Sequence, residues 1–352
     1  MNRFRLPEHL IVEGGIFIDI PKAMEDVFPG LHSKKAILVT EENLKGLFET
    51  IISEICHDFE KCELYLITAA DYDSAVRLAK YITMQEISVV IGFGGGTVLD
   101  LAKFAAFVSK AKYISLPTTL SNDSLASPVA VLGTEGKARK SFKCTIPDAI
   151  LVDTDVIKSA PMRQLLSGIG DTVSKDTALY DWKLAGKRKG DKVDDFAYMM
   201  SRMAYDSLLH SKNAELKSDE FLTRLTRALV MGGLAMEIAG SSRPSSGSEH
   251  LFCHALEEHF SEEVNVPHGI AVAMGSVGAC IFQNRDPQEI IGLIKGYGIP
   301  AKPSDNKVSK EIFVGAWQVA AGTRADRYTV LNETDLDTAK LESLYDRMEE
   351  EL

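Results

Sequence analysis

Over its first ~150 residues the chain alternates short β-branched runs with amphipathic stretches. Lys35-Ala-Ile-Leu-Val-Thr40 reads as a buried strand and is followed by a helix from about Glu42 to His57. Glu63–Ile67 and Ser88–Ile91 are further strands, each coupled to a helix, over Asp73–Gln85 and Thr97–Ser109. Lys112–Leu116 and Ala149–Val152 complete the series. Strands that alternate with helices of this length predict a mostly parallel sheet with crossover helices. After about Asp155 the strand signal fades. Helical periodicity takes over at Phe196–Leu209, Phe221–Ala239, Glu249–Phe260, Gly269–Phe282, Pro287–Lys295 and Lys310–Ala320. The expected organisation is an α/β domain over residues 1–157 and a helical domain over 158–352. Gly186–Asp195, charged and glycine-bearing, reads as a solvated loop.

Composition narrows the function without naming it. With 352 residues, 45% of them hydrophobic, the chain can bury one large or two medium cores. A formal net charge of −11 argues against nucleic acid or an anionic membrane as general partner. It leaves room for a local basic pocket. No apolar run spans a bilayer, and the first residues lack a secretory h-region, so a cytoplasmic protein is expected. The five cysteines (Cys56, Cys62, Cys144, Cys253, Cys280) are scattered and read as reduced core thiols.

Two constellations carry chemistry. In Gly92-Phe-Gly-Gly-Gly-Thr-Val-Leu-Asp100, consecutive glycines follow a strand and open a helix. Gly94, Gly95 and Gly96 allow a tight turn and close backbone approach, and the helix start favours a pyrophosphate. The spacing is not the usual G-x-G-x-x-G, and a turn that binds nothing is the alternative. The second constellation is histidine-rich: four of the eight histidines fall within Ser248–His268. His250 and His254 stand at i and i+4 on one helix face, and His268 follows in Val266-Pro-His-Gly269. Asp171, flanked by glycines in Ser167-Gly-Ile-Gly-Asp-Thr172, is the best acidic partner for a site of three protein ligands and one open position. Taken alone, the pair is also compatible with two core or capping histidines.

At these motifs the chain resembles the sn-glycerol-1-phosphate dehydrogenase family, within the superfamily of iron-containing alcohol dehydrogenases, glycerol dehydrogenase and dehydroquinate synthase. The resemblance covers nearly the whole length. It rests on the glycine motif, on Pro117-Thr-Thr-Leu-Ser-Asn-Asp-Ser-Leu-Ala-Ser-Pro128, on Gly170–Trp182, and on Gly240-Ser-Ser-Arg-Pro-Ser-Ser-Gly-Ser-Glu-His250. It implies a Rossmann-like α/β domain with an all-α C-terminal domain of the dehydroquinate synthase type. Gly94, Gly95, Gly96 and Thr97 would wrap the pyrophosphate of NAD or NADP, with Asp100 in the same motif. Thr118, Thr119, Ser121 and Ser127 would line the nicotinamide side, and Asp123 would contact substrate hydroxyls. Asp171, His250 and His268 would ligate one divalent metal (zinc, with iron or nickel as alternatives), and His254 would sit beside the substrate. Glu41 matches an acid that meets the adenosine ribose, where a carboxylate favours NAD over NADP. As a plain alternative, Glu41 is an acid at a helix N-terminus. Asn122 stands where many archaeal members carry histidine.

The implied reaction interconverts dihydroxyacetone phosphate and sn-glycerol 1-phosphate by metal-assisted hydride transfer, with His254 moving a proton. Arg243 is the first candidate for the phosphate, and Lys137, Arg139, Lys140 and Lys143 form a second basic cluster. An unphosphorylated polyol dehydrogenase is the alternative, followed by a sugar-phosphate cyclase, against which Asp171 argues. A homo-oligomer is expected, with no nucleic-acid or membrane partner.

Overall fold

The strands of the first half are apolar on both faces, and that pattern places them inside a layered sheet. The structure, a computed structural model, describes residues 4–18, 20, 28–134, 139–212 and 214–352. Six strands lie parallel: β1 (His9–Glu13), β2 (Lys35–Thr40), β3 (Lys61–Leu66), β4 (Val89–Gly94), β5 (Lys112–Pro117) and, after a separate antiparallel hairpin of β6 (Val129–Gly133) and β7 (Arg139–Lys143), β8 (Ala149–Asp153). Their spatial order is β1-β8-β5-β4-β2-β3. Along β2, Ala36 and Leu38 join one core, while Ile37 and Val39 join the other. Burial on both faces is what crossover helices require of a parallel sheet.

The crossover helices are α1 (Glu42–Leu47), α2 (Glu49–His57), α3 (Tyr72–Met84) and α4 (Gly96–Ser109). Ile52 and Ile55 of α2 pack on one face of the sheet; Leu78 and Ile82 of α3, with Val98 and Leu101 of α4, pack on the other. The single helix expected over 42–57 is divided at Phe48, which leaves helical geometry and sets its ring edge-on to Phe93 at 5.7 Å. Strands β1, β6 and β7 were not legible: β1 is half exposed and β7 (Arg139-Lys-Ser-Phe-Lys143) is mostly charged, so neither shows a buried run.

The later elements are helical: α5 (Thr154–Ser159), α6 (Met162–Val173), α7 (Lys175–Lys189), α8 (Asp195–Leu209), α9 (Asp219–Ala239), α10 (Ser248–His259), α11 (His268–Phe282), α12 (Gln288–Tyr297), α13 (Lys310–Ala320) and α14 (Thr338–Glu351). The segment expected as a loop over 186–195 instead extends α7 to Lys189. The helix ends only at Gly190, whose φ of 75° supplies the left-handed stop. No helix among the described residues is long and apolar enough to cross a membrane.

The chain divides into two compact units, Met1–Pro161 with Leu216–Thr226, and Met162–Glu215 with Arg227–Leu352. The expected boundary at 157/158 thus moves to 161/162, and one later segment returns to the first unit. Polar contacts explain the return: Asp219 accepts from Thr154 Oγ1 at 2.6 Å and pairs with Lys158 at 2.7 Å, and Lys217 donates to the carbonyls of Lys158 and Ala160. The thiols are less scattered than expected. Cys56 and Cys62 lie with their sulfurs 3.3 Å apart, whereas Cys144, Cys253 and Cys280 are buried singly.

Candidate functional site

In the first unit the candidate residues gather at the carboxyl ends of three adjacent strands. The chain leaves β2 toward β3 and leaves β4 toward β5, in opposite directions across the sheet, so β2 and β4 flank the topological switch point. Val39 pairs with Gly92 and Gly94 with Pro117, so Glu41, the glycine turn and Thr118–Thr119 follow neighbouring strand ends. Gly95 is the N-cap of α4 and brings no side-chain cap, which leaves the first helical amides available to an anion. None of the three glycines has positive φ. Their need is space: a Cβ on Gly94 would meet Val98 at 2.7 Å, and one on Gly96 would meet Ser124 Oγ at 2.8 Å and Asn122 Oδ1 at 3.3 Å. Gly95 has ordinary room, with Thr119 Oγ1 at 3.5 Å.

Two residues expected at the cofactor also hold the frame together. Asp100 is buried; its oxygens accept from Lys103 Nζ and from Val131 N, both at 2.9 Å. The same ammonium reaches Val129 O and Ser127 Oγ, and Ser127 Oγ donates to Val129 O. Asp100 and Ser127 therefore belong to a buried bracket that ties β6 to α4. Asn122 caps the short turn at Asp123–Leu125 by accepting from Ser124 N at 3.1 Å.

The second unit assembles the metal candidates through a close helix crossing. A Cβ on Gly269 would overlap the carbonyl of Ser167, and one on Gly170 would overlap the carbonyl of Gly269. Gly269 N also donates to Ser167 Oγ at 3.0 Å. Only glycines let α6 and α11 approach this far, and the approach carries Asp171 beside His268. Helix α10 brings His250. Asp171 Oδ1 stands 3.7 Å from His250 Nε2 and 3.9 Å from His268 Nε2. The ligand atoms of all three lie within 4.8 Å of one another.

These residues fit a divalent ion. Tetrahedral bonds of about 2.0–2.1 Å place ligand atoms about 3.3 Å apart, slightly closer than the separations here. Asp171 is buried, yet its Oδ2 has no hydrogen-bond partner, a cost that an ion in the cluster would relieve. Lys175 Nζ, fully buried, stands 3.7 Å from that oxygen. The far edge of each imidazole is held by a carboxylate. His250 Nδ1 lies 2.8 Å from Glu249 Oε1, and His268 Nδ1 lies 3.4 Å from Glu257 Oε1. With Nδ1–H donating outward, each ring in its neutral form presents a bare Nε2 to Asp171.

The electrostatics follow from burial. Burial pulls His250 well below the usual imidazole range, helped by His268, His254, Lys175 and Arg327. His254 is lowered for the same first reason. Burial also opposes charge on His268, but Cys253 and Glu257 outweigh it and hold that ring well above the usual range. Cys253, 3.3 Å from His268 Nδ1, is itself pushed up to about 11 by burial. It is therefore a neutral thiol, and Glu257 is the anion that acts on the ring. Glu249 is pushed up to about 8 by burial and by Asp181. His254 stays outside the ligand group, its ring centre 6.3 Å from that of His250 and 6.4 Å from that of His268, with Nδ1 toward Glu257 Oε2 at 3.5 Å.

Comparison with known proteins identifies the family. The model of the iron-containing alcohol dehydrogenase family matches residues 19–161. A glycerol-1-phosphate dehydrogenase [NAD(P)+] of Hyperthermus butylicus is 32% identical over 345 residues, covering 98% of this chain and 97% of its own. The chain belongs to the glycerol-1-phosphate dehydrogenase family. A second member, from Thermoplasma acidophilum, is 35% identical, with 87% of this chain and 86% of its own covered. Among solved structures, a probable glycerol dehydrogenase from Sinorhizobium meliloti superposes with a TM-score of 0.79 at 20% identity, over 99% of this chain and 98% of that one. At that identity the likeness speaks for the shared fold.

Within this chain, the arginine expected at the phosphate is engaged elsewhere. Arg243 is buried and donates to Asp191 Oδ2 and Tyr328 O, both at 2.7 Å, so its charge is already paired. Arg139, Lys140 and Lys143 lie exposed on β7 of the first unit, and Lys137 falls outside the described residues. Sequence reasoning passed over Glu249, Glu257, Lys175 and Arg327. The signal for the first two was present, since Glu249 precedes His250 and Glu257 lies three residues beyond His254. Lys175 stands one helical turn after Asp171. Arg327, 77 residues past His250, gave no local sign.

Proposed function

We propose that this chain interconverts dihydroxyacetone phosphate and sn-glycerol 1-phosphate with NAD(P) as hydride carrier and one divalent ion at Asp171, His250 and His268. The convergence of those three side chains around a buried carboxylate oxygen without a hydrogen bond, in a chain of this family, carries the reading. A metal ion at such a site supplies Lewis acidity toward a carbonyl or alcohol oxygen, and the nicotinamide supplies the hydride.

The chain's own groups do the rest. Gly94–Gly96, Thr97 and the open start of α4 would bind the pyrophosphate, and Thr118, Thr119 and Ser121 would line the nicotinamide side. Glu41 takes the adenosine ribose and favours NAD. Asp171 anchors the ligand set, while Glu249 and Glu257 orient the two imidazoles. His254, kept neutral by burial and turned by Glu257, passes the proton between the substrate oxygen and solvent. Asp123 positions the hydroxyls. Zinc is proposed over iron or nickel because it is redox-inert and accepts three protein ligands with one open position.

NADH mixed with the protein should be consumed on adding dihydroxyacetone phosphate, and a chelator should stop the loss. Unchanged NADH with that substrate overturns the reading. Elemental analysis of protein purified without added metal identifies the ion.

A further inference from the structure

The second unit holds three arginines around its histidine centre, and they differ in how their charge is met. Arg243 pairs with Asp191 at 2.7 Å, and Arg324 pairs with Glu258 at 2.8 Å. Among the described residues Arg327 forms no ion pair, and Glu249 and Asp326 act on it only from beyond that range. It donates through Nη1 to Ser246 O and Oγ and through Nη2 to Ser242 Oγ, all neutral acceptors. Those bonds leave Nε–H and one Nη2–H unassigned on a partly buried guanidinium. Burial and the charges of Arg243 and Arg324 draw its pKa down to about 10, so it stays cationic at neutral pH. A cation withdrawn from water without a counter-anion is costly. Arg327 grips the serine turn leading into α10, and its charge is felt at His250. The same turn carries Ser245, whose buried hydroxyl has no partner.

We propose that Arg327 is the specificity-determining anchor for the substrate's phosphate monoester, whose negative charge would meet the free edge of the guanidinium. The proposal rests on the reading of the substrate as phosphorylated. A guanidinium presents two parallel N–H donors to a phosphate, which a lysine cannot reproduce.

The test compares kcat/KM for dihydroxyacetone phosphate and for dihydroxyacetone in wild type, Arg327→Met and Arg243→Gln, each checked for bound metal. In Arg327→Met the ratio should fall by about 100-fold, mainly through KM for the phosphorylated substrate; in Arg243→Gln it should hold within threefold. If Arg327 only clamps the serine turn, both substrates will suffer together and the unchanged ratio overturns the proposal. Should Arg327→Met lose its fold or metal, Arg327→Lys replaces it, read by competition from inorganic phosphate. The inhibition constant should rise at least tenfold, and an unchanged constant overturns the assignment. A wild type that does not prefer the phosphorylated ketone overturns the substrate reading itself.

Discussion

The glycine turn of the first unit and the histidine centre of the second prepare for their ligands by opposite means. The turn uses backbone: three residues without side chains and a helix start without a cap, at the ends of parallel strands. The histidine centre uses side chains drawn from three helices, two of them braced by carboxylates on their outer edges. A backbone site of this kind stands or falls with local packing. A side-chain site depends on a crossing between helices about 100 residues apart in sequence.

The comparison breaks most sharply at the ligands. Asp171→Asn and His250→Ala should each lower turnover by about 10⁴-fold, as loss of a group that acts as part of a unit does. Elemental analysis should find them metal-poor, while NADH titration by fluorescence should give a dissociation constant within threefold of wild type. A parallel loss of NADH affinity would mean that the two preparations are not separate.

Next in size is the glycine pair at the crossing. Gly269→Ala places a methyl group against the Ser167 carbonyl, backbone on backbone, with no flexible neighbour to yield. Thermal or denaturant unfolding should show a loss of about 3 kcal/mol, with falling metal content. Gly95→Ala, which meets only Thr119 Oγ1 at 3.5 Å, is the contrast in the other region. It should change stability by about 0.5 kcal/mol or less. Equal losses in the two variants would remove the distinction between a space-limited crossing and an open turn.

This difference also explains what the sequence disclosed. The parallel sheet was legible because Ile37, Val39, Val90 and their neighbours form unbroken apolar runs. The glycine turn was legible because its parts are contiguous. The ligand residues could be named, but the reason they meet could not: Gly170 and Gly269 become a crossing only once α6 and α11 are in place. Asp100 and Ser127 show that a motif can carry buried structural polar groups, a role that only their contacts with Lys103 reveal. Arg243 misled because proximity in sequence to His250 says nothing about Asp191 waiting for its charge.

Smaller effects sharpen the role of the bracing carboxylates. Glu257→Gln keeps the size of the side chain and removes the charge that orients His268 and His254. Metal affinity should weaken by about 10–100-fold, measured by competition with a chromogenic chelator. Affinity within twofold of wild type would leave Cys253 or the helix frame as the support for His268.

The smallest effect lies in the backbone region and concerns the charged side chain proposed to meet the cofactor there. Glu41 follows β2 directly, is the N-cap of α1, and makes no capping hydrogen bond of its own. Two readings of that carboxylate give different signs. If it meets the ribose, it repels the 2′-phosphate of NADP. Two unit charges 4 Å apart in water interact by about 1 kcal/mol, or about fivefold. Glu41→Gln should then raise the ratio of kcat/KM for NADPH over NADH by about that factor, without altering metal content. If the carboxylate serves only the α1 dipole, the coenzyme ratio should stay fixed, and stability should fall by about 0.3–1 kcal/mol at low salt. The coenzyme ratio therefore decides whether the first unit binds with neutral groups alone or with one charged side chain added for selectivity.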